Sequence, residues 1–173
     1  MTKIYLSLGS NIQRYHHISS GLNALNDLLN DMQISTIYES KSVGFEGSNF
    51  LNLVVAGLSN LSISQLSEKL KKIEDDNGRK RSGPKFSPRT LDIDILLYDK
   101  FVGTDSGVSL PRDEILQNAF VLLPLSELAP DEYHPQFNKT YAQLWNEFPQ
   151  ISQKLWSIDF NWNGNKISSK AIS

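Results

Sequence analysis

Cysteine is absent from the 173-residue chain, which excludes a disulfide framework, a thiolate zinc site and a cysteine nucleophile. Histidine is scarce, with three in all. His16 and His17 are adjacent, so on a helix their rings point about 100° apart and are poorly placed to share an ion. His134 adjoins Pro135 in a loop, and we read all three as surface or structural residues. Long apolar runs are also missing. Met1 to Gly9 holds too short a run for a signal peptide, and no stretch approaches the length of a membrane span. These absences lead us to expect a cytoplasmic protein with no membrane partner. No G-x-G-x-x-G is present. Gly78 and Gly83 have the outer spacing of G-x-x-x-x-G, but Pro84 stands where a lysine is needed, so the match is false.

Excess charge is lacking as well. Seventeen basic residues against nineteen acidic ones leave a formal charge of −2, which argues against a nucleic-acid partner bound by bulk charge. The balance is uneven along the chain, however. Glu68 to Thr90 carries eight basic and four acidic side chains, so that stretch is +4 and the remainder −6. A cationic segment in an acidic chain suggests a small anionic ligand.

What is present is a regular patterning. Ile4, Leu6 and Leu8 alternate with Tyr5 and Ser7, as in a strand. Ile18, Leu22, Leu25 and Leu29 then line one face of a helix. Gln33 to Lys41 is β-prone, and Phe50 to Gly57 reads as a strand. Ser62 and Gln65 have capping-box spacing, ahead of a helix with Leu66, Leu70 and Ile73 on one face that Gly78 terminates. Thr90 to Tyr98 alternates again, with Leu91, Ile93, Ile95 and Leu97 expected on one side. The order β-α-β-β-α-β predicts an α+β, ferredoxin-like core. Beyond it, Val108 to Leu110 reads as a short strand. Ala119 to Leu128 reads as a helix that Pro124 limits, and Tyr141 to Phe148 as another helix. We expect one domain over 1–160 and an unstructured polar tail over 161–173.

Three groups of residues carry chemistry. Asp92 and Asp94 fall on one face of a strand, with Cα atoms about 6.5–7 Å apart. Two carboxylates on an apolar strand repel and lose hydration, which is costly unless a cation compensates. Their hard oxygens suit Mg²⁺ shared with phosphate and water. Arg79 to Arg89, with two prolines and a glycine, reads as a basic loop beside them, a candidate triphosphate clamp. Phe50, Asn52 and Phe120 have the chemistry to sandwich a flat heterocycle and pair with its edge, although both rings also suit a core.

With Leu8-Gly9-Ser10-Asn11, Phe50-Leu51-Asn52, Glu74 with Gly78-Arg79-Lys80-Arg81, Pro88 through Tyr98, and Ala119-Phe120 through Pro130, the chain resembles the 6-hydroxymethyl-7,8-dihydropterin pyrophosphokinases. The P-R-x-L-D-x-D-x-L-x-Y run is the most specific of these. The resemblance implies transfer of pyrophosphate from ATP to the pterin hydroxymethyl group, with release of AMP, in folate biosynthesis. It implies two Mg²⁺ ions on Asp92 and Asp94, and Arg79 and Arg89 as catalytic arginines. Lys71, Glu74, Arg81, Phe86, Ile95 and Arg112 would serve ATP. Ser40, Val43, Phe50, Asn52 and Phe120 would serve the pterin. It also implies an α/β/α layering with C-terminal helical additions and a monomer.

The chain departs from the family pattern where Pro-His becomes Pro111-Arg112, where an arginine becomes Asn118, and where a Thr-x-Pro loop is altered near Tyr38 to Lys41. Two other readings stand beside the enzyme. One is a relative that binds pterin or nucleotide without transfer. The other is a ferredoxin-like RNA-binding module, which the paired aspartates and the acidic remainder of the chain oppose.

Overall fold

The amino-terminal alternation becomes the central strand β1 (Thr2–Ser10) in the computed structural model, which describes residues 1–41, 48–78 and 90–171. It is followed by α1 (Arg14–Leu28), β2 (Asn30–Ile34), β3 (Tyr38–Ser40), β4 (Phe50–Ser59), α2 (Ile63–Asp76) and β5 (Asp92–Tyr98). Then come the hairpin β6 (Gly103–Asp105) and β7 (Val108–Leu110), and helices α3 (Glu114–Gln117), α4 (Ala119–Leu128) and α5 (Tyr141–Glu147). Three short strands close the chain: β8 (Leu155–Ser157), β9 (Phe160–Trp162) and β10 (Asn165–Ser168).

The main sheet has the order β5-β1-β4-β3-β8, with β2 also on β4, and its pairings are antiparallel. Alternation sorts the central strands into two cores. Leu6, Leu8, Leu51, Leu53, Val55 and Ile93 meet Ile18, Leu22 and Leu25 of α1 and Leu66 and Leu70 of α2. On the other face Tyr5, Val54, Ala56 and Leu96 meet Val121, Leu122 and Leu125 of α4 and Tyr141 of α5. The fold is therefore mixed, an antiparallel sheet with helices on both faces. No helix among the described residues is long and apolar enough to cross a membrane.

Local signals behave as expected at α2. The Ser62 hydroxyl accepts the Gln65 N–H at 3.2 Å, and the Gln65 carbonyl oxygen accepts the Ser62 N–H at 3.0 Å. The helix ends at Gly78, whose φ of +78° suits a residue without a β-carbon.

Four expectations change. The β-prone segment splits into β2 and β3, because Ser35 takes both of Val54's backbone bonds: its N–H donates to the carbonyl and its hydroxyl accepts the N–H, each at 2.9 Å. Leu97 does not share a face with Ile93 and Ile95. A bulge between Tyr5 and Leu6 shifts the β1–β5 register, so Leu96 and Leu97 both enter the second core. Helix α4 runs through Pro124, since burial of Val121, Leu122 and Leu125 offsets a proline cost of about 3 kcal/mol. The tail expected to lack structure forms the β9–β10 hairpin around Asn163-Gly164, both with positive φ, as a tight Asn-Gly turn requires. Phe160 anchors it, buried and stacked on Tyr15 with centroids 5.3 Å apart. Ser168 Oγ fastens its far end, accepting the Ile37 N–H at 2.9 Å and donating to the Ile158 carbonyl at 2.7 Å.

Tyr141 presents an energetic oddity: its hydroxyl is buried without a hydrogen-bond partner among the described residues. Replacing it with Phe keeps the ring and removes the stranded group, so Tyr141→Phe is expected to gain about 1 kcal/mol of stability in urea unfolding.

Candidate functional site

The carboxylate pair sits where three strands reach the same end of the sheet. Asp92 lies opposite Gly9 of β1, and Gly9 lies opposite Asn52 of β4. Asp94 lies opposite Ser7. The bulge falls beyond these positions, so Asp92 and Asp94 keep regular alternation and face the layer that carries α4. Gly9 is needed between them, because a β-carbon there would come within 3.1 Å of Asn52 Oδ1. The amide thus lies across the strand, and the Phe50 ring borders the same spot at 3.9 Å. Asn52 is held by its donation to Ser40 Oγ at 2.9 Å, with both residues buried.

Burial first, and then the neighbouring Asp92 charge, push the Asp94 carboxyl up to about 7, against the pull of Arg112. A carboxyl raised in this way suits a site made to receive a cation. The described residues include no cluster of three acidic or imidazole groups able to hold a metal by themselves. Two carboxylates nonetheless fit Mg²⁺, which keeps water and substrate phosphate in its remaining positions.

Glu74, on α2 behind the sheet, sends its carboxylate to the Ile93 N–H at 2.8 Å, between the two aspartates. It is buried, and it braces β5 from the opposite face. Arg112 follows β7, and its N–H donates to the Leu96 carbonyl at 3.0 Å, which sets it beside β5. Its Nη2 lies 3.4 Å from Asp94 Oδ1 and its Nε 3.1 Å from Glu114 Oε1. Asn118, the N-cap of α4, donates to Glu114 Oε2 at 3.4 Å. Phe120 lies half-buried in the first turn of α4, against the second core.

The structure places Ser40, Phe50, Asn52, Asp92, Asp94 and Arg112 near one end of the sheet. Lys71 is exposed on α2, and Ile95 puts its side chain into the first core. Val43, Arg79, Arg81, Phe86 and Arg89 lie outside the described residues. The histidines are structural or exposed: His17 Nδ1 bonds Asn77 Oδ1 at 2.9 Å, and buried His134 accepts the Gln136 N–H at 3.1 Å.

Two features escaped the sequence. Glu114 shares Arg112, and only its closeness in sequence hinted at that. The second is a brace from the C-terminal segment. Trp156 of β8 donates from Nε1 to Glu39 at 2.7 Å, Glu39 pairs with Arg14, and Arg14 donates to the Asn49 carbonyl at 3.0 Å. Burial draws the Glu39 carboxyl upward, but the bonds from Arg14 and Trp156 outweigh it and hold it below the ordinary range. The brace ends on the residue before Phe50.

A family model described as 7,8-dihydro-6-hydroxymethylpterin-pyrophosphokinase matches residues 5–130. The 2-amino-4-hydroxy-6-hydroxymethyldihydropteridine pyrophosphokinase of Aquifex aeolicus is 39% identical over 146 residues, which cover 83% of this chain and 91% of that relative. The protein of the same name from Porphyromonas gingivalis is 37% identical over 142 residues, covering 79% and 96%. Among solved structures, a Plasmodium falciparum HPPK-DHPS with pterin and p-hydroxybenzoate superposes with a TM-score of 0.67 at 18% identity. That match covers 84% of this chain and 43% of the Plasmodium one, and it speaks to the fold alone.

Proposed function

The chain belongs to the 7,8-dihydro-6-hydroxymethylpterin-pyrophosphokinase family, and from that membership we propose which of its residues carry the reaction. The protein is a pyrophosphokinase of folate biosynthesis, transferring pyrophosphate from ATP to the hydroxymethyl group of 6-hydroxymethyl-7,8-dihydropterin and releasing AMP. As an ATP-using kinase it works with a metal cofactor.

One observation supports the assignment above the others. Asn52 and Asp92 stand on one sheet face with a glycine between them. Two interstrand spacings put them about 10 Å apart, a gap suited to a bicyclic ring with a hydroxymethyl arm. Asn52, held by Ser40, reads the ring's donor and acceptor edge, and Phe50 and Phe120 cover its faces. The arm then points at the carboxylates. Asp92 and Asp94 hold Mg²⁺, two ions in our reading. A metal held there would neutralise phosphate charge and make the attacking hydroxyl more acidic. The hydroxymethyl oxygen bonds to the β-phosphorus as the bond from that phosphorus to the α,β-bridging oxygen breaks. AMP leaves, and the hydroxyl proton passes to a carboxylate of the pair. Arg79 and Arg89 take up the charge spread over the transferring group, with Arg81, Phe86, Lys71 and Arg112 on the ATP side and Glu74 serving it from behind by holding the strand of the aspartates. Val43 joins the pterin side, and Ile95, with its side chain in the first core, can serve the adenine side only through its backbone.

The order β5-β1-β4-β3, with helices after β1 and β4, supports a ferredoxin-like core. A single domain, a monomer and a cytoplasmic setting complete the proposal. The test is AMP release from ATP that requires both Mg²⁺ and 6-hydroxymethyl-7,8-dihydropterin. AMP at background level would refute transfer and leave a binding relative.

The brace has its own expected result. Trp156→Phe keeps the ring but drops the bond to Glu39, loosening Asn49 and Phe50. The KM for the pterin should rise about fivefold with kcat within about twofold and the KM for ATP unchanged, in line with a lost bond to a charged group.

A further inference from the structure

Arg112 stands beside the carboxylate that the reading above gives to the metal. Arg112 is fixed at two points: its backbone N–H on Leu96 sets the residue beside β5, and its Nε on Glu114 at 3.1 Å anchors the guanidinium. The remaining arm, Nη2, approaches Asp94 Oδ1 at 3.4 Å, longer than the 2.7–2.9 Å of a tight charge-assisted bond. It is therefore an ion pair that can be exchanged while the anchor on Glu114 holds. The group is also within reach of ligands, with about a third of its side chain exposed (35%, against 27% for Asp94).

A cation already beside Asp94 does two things. It offsets the cost of paired carboxylates on an apolar sheet, and it repels any further cation that approaches them. A triphosphate offers a guanidinium a better partner, since it is multiply charged and matches the planar donor fork. We propose that Arg112 is an interlock: without nucleotide it holds Asp94 and suppresses binding of free divalent cations, and on arrival of the triphosphate its free arm moves to phosphate and opens Asp94 to the metal. The interlock rests on the reading of Asp92 and Asp94 as metal holders. Its thermodynamics are reciprocal, so whatever nucleotide does for metal affinity, metal does for nucleotide affinity. Glu114 is the positioning residue that keeps the swing short. Asn118, bonded to the same carboxylate, helps hold Glu114 in place.

The test titrates Mn²⁺, followed by its electron paramagnetic resonance, into the nucleotide-free full chain. Arg112→Gln should bind Mn²⁺ about tenfold more tightly than the unaltered protein, within the usual range of coupling between sites. In metal-free buffer the same variant should bind a non-hydrolysable ATP analogue about tenfold more weakly, because the phosphate loses its guanidinium. Unchanged Mn²⁺ affinity in Arg112→Gln would overturn the interlock. Arg112→Lys guards against misfolding: it keeps a charge but cannot span Asp94 and Glu114, and should gain about threefold in Mn²⁺ affinity. Asp94→Asn separates the two levels of inference. Loss of Mn²⁺ binding there upholds the carboxylate reading, so that failure of the arginine variants sinks the interlock alone. Full Mn²⁺ binding by Asp94→Asn removes the carboxylate reading and the interlock with it.

Discussion

Asp94→Asn is expected to cut AMP formation by about 10³-fold or more, as fits the loss of several kcal/mol of charge stabilisation at a transferring phosphoryl group. The substitution is nearly isosteric, so the β1–β5 register and the bond from Ile93 to Glu74 should persist. What disappears is one of the two anionic oxygens sets facing the layer of α4. Asp92→Asn should behave alike, because the described residues hold no cluster of three acidic or imidazole groups to keep the metal in its place. The assay is AMP release at saturating ATP and pterin, with circular dichroism to show an intact fold. Normal turnover in Asp94→Asn would end the metal assignment.

The same variant should be more stable than the protein it came from when metal is absent. Burial and the Asp92 charge raise the folded-state Asp94 carboxyl to about 7, well above its ordinary value of 3.8. Between those two values the folded chain binds the proton and the unfolded chain does not. Metal-free stability is therefore greatest at the acid side of that window and falls as pH rises through about 7. At pH 8 the ionised group costs the fold roughly 2 kcal/mol, taking the shift at about half its full value because the group is partly exposed. Asp94→Asn removes that cost. In EDTA at pH 8 its Tm should rise by about 5 °C, and its melting should lose the decline across the window from 3.8 to about 7 that the unaltered protein shows. Mg²⁺ with ATP should stabilise the unaltered protein and leave the variant nearly unmoved. A variant that melts at or below the original at pH 8 would contradict the strained-pair account. The site would then store no unfavourable charge, and loss of activity would need another cause.

These two results pull in opposite directions for one residue, which is the signature of a site held ready for a ligand. Glu74 shows how the fold sustains it. A third carboxylate near the pair adds to the repulsion, and its charge is among those raising Asp94. Yet it is buried and bonded to the backbone of Ile93, so it stiffens the strand that carries both aspartates.

Legibility in the sequence followed the range of the interactions involved. The period-two runs of β1 and β5 placed Asp92 and Asp94 on one face before any coordinates, because side-chain alternation is a property of a single strand. The capping box at Ser62 and the stop at Gly78 were equally local. The Asn163-Gly164 turn was local too, and the signal was present but passed over in favour of the tail's polar composition. Leu97 was misplaced for a different reason: Leu96 is an extra residue in β5 opposite the Tyr5–Leu6 step of β1, and such a bulge shows only once the two strands are paired. Pro124 misled because propensity weighs one residue, whereas the buried face of α4 weighs several.

By itself, then, the sequence determined the alternating and helical segments, the shared face of the two aspartates, the absence of thiol chemistry, and the cationic stretch that calls for a small anion. Each of these depends on residues near one another along the chain. Only the tertiary structure decided that Asn52 stands across Gly9 from Asp92, that Glu74 ties the back of the same strand, that Arg112 leans on Asp94 while anchored to Glu114, and that Trp156 braces the approach to Phe50. Those relations join residues up to 117 positions apart. They follow from strand register and from which helix covers which face, and both are set by burial of the two cores as a whole.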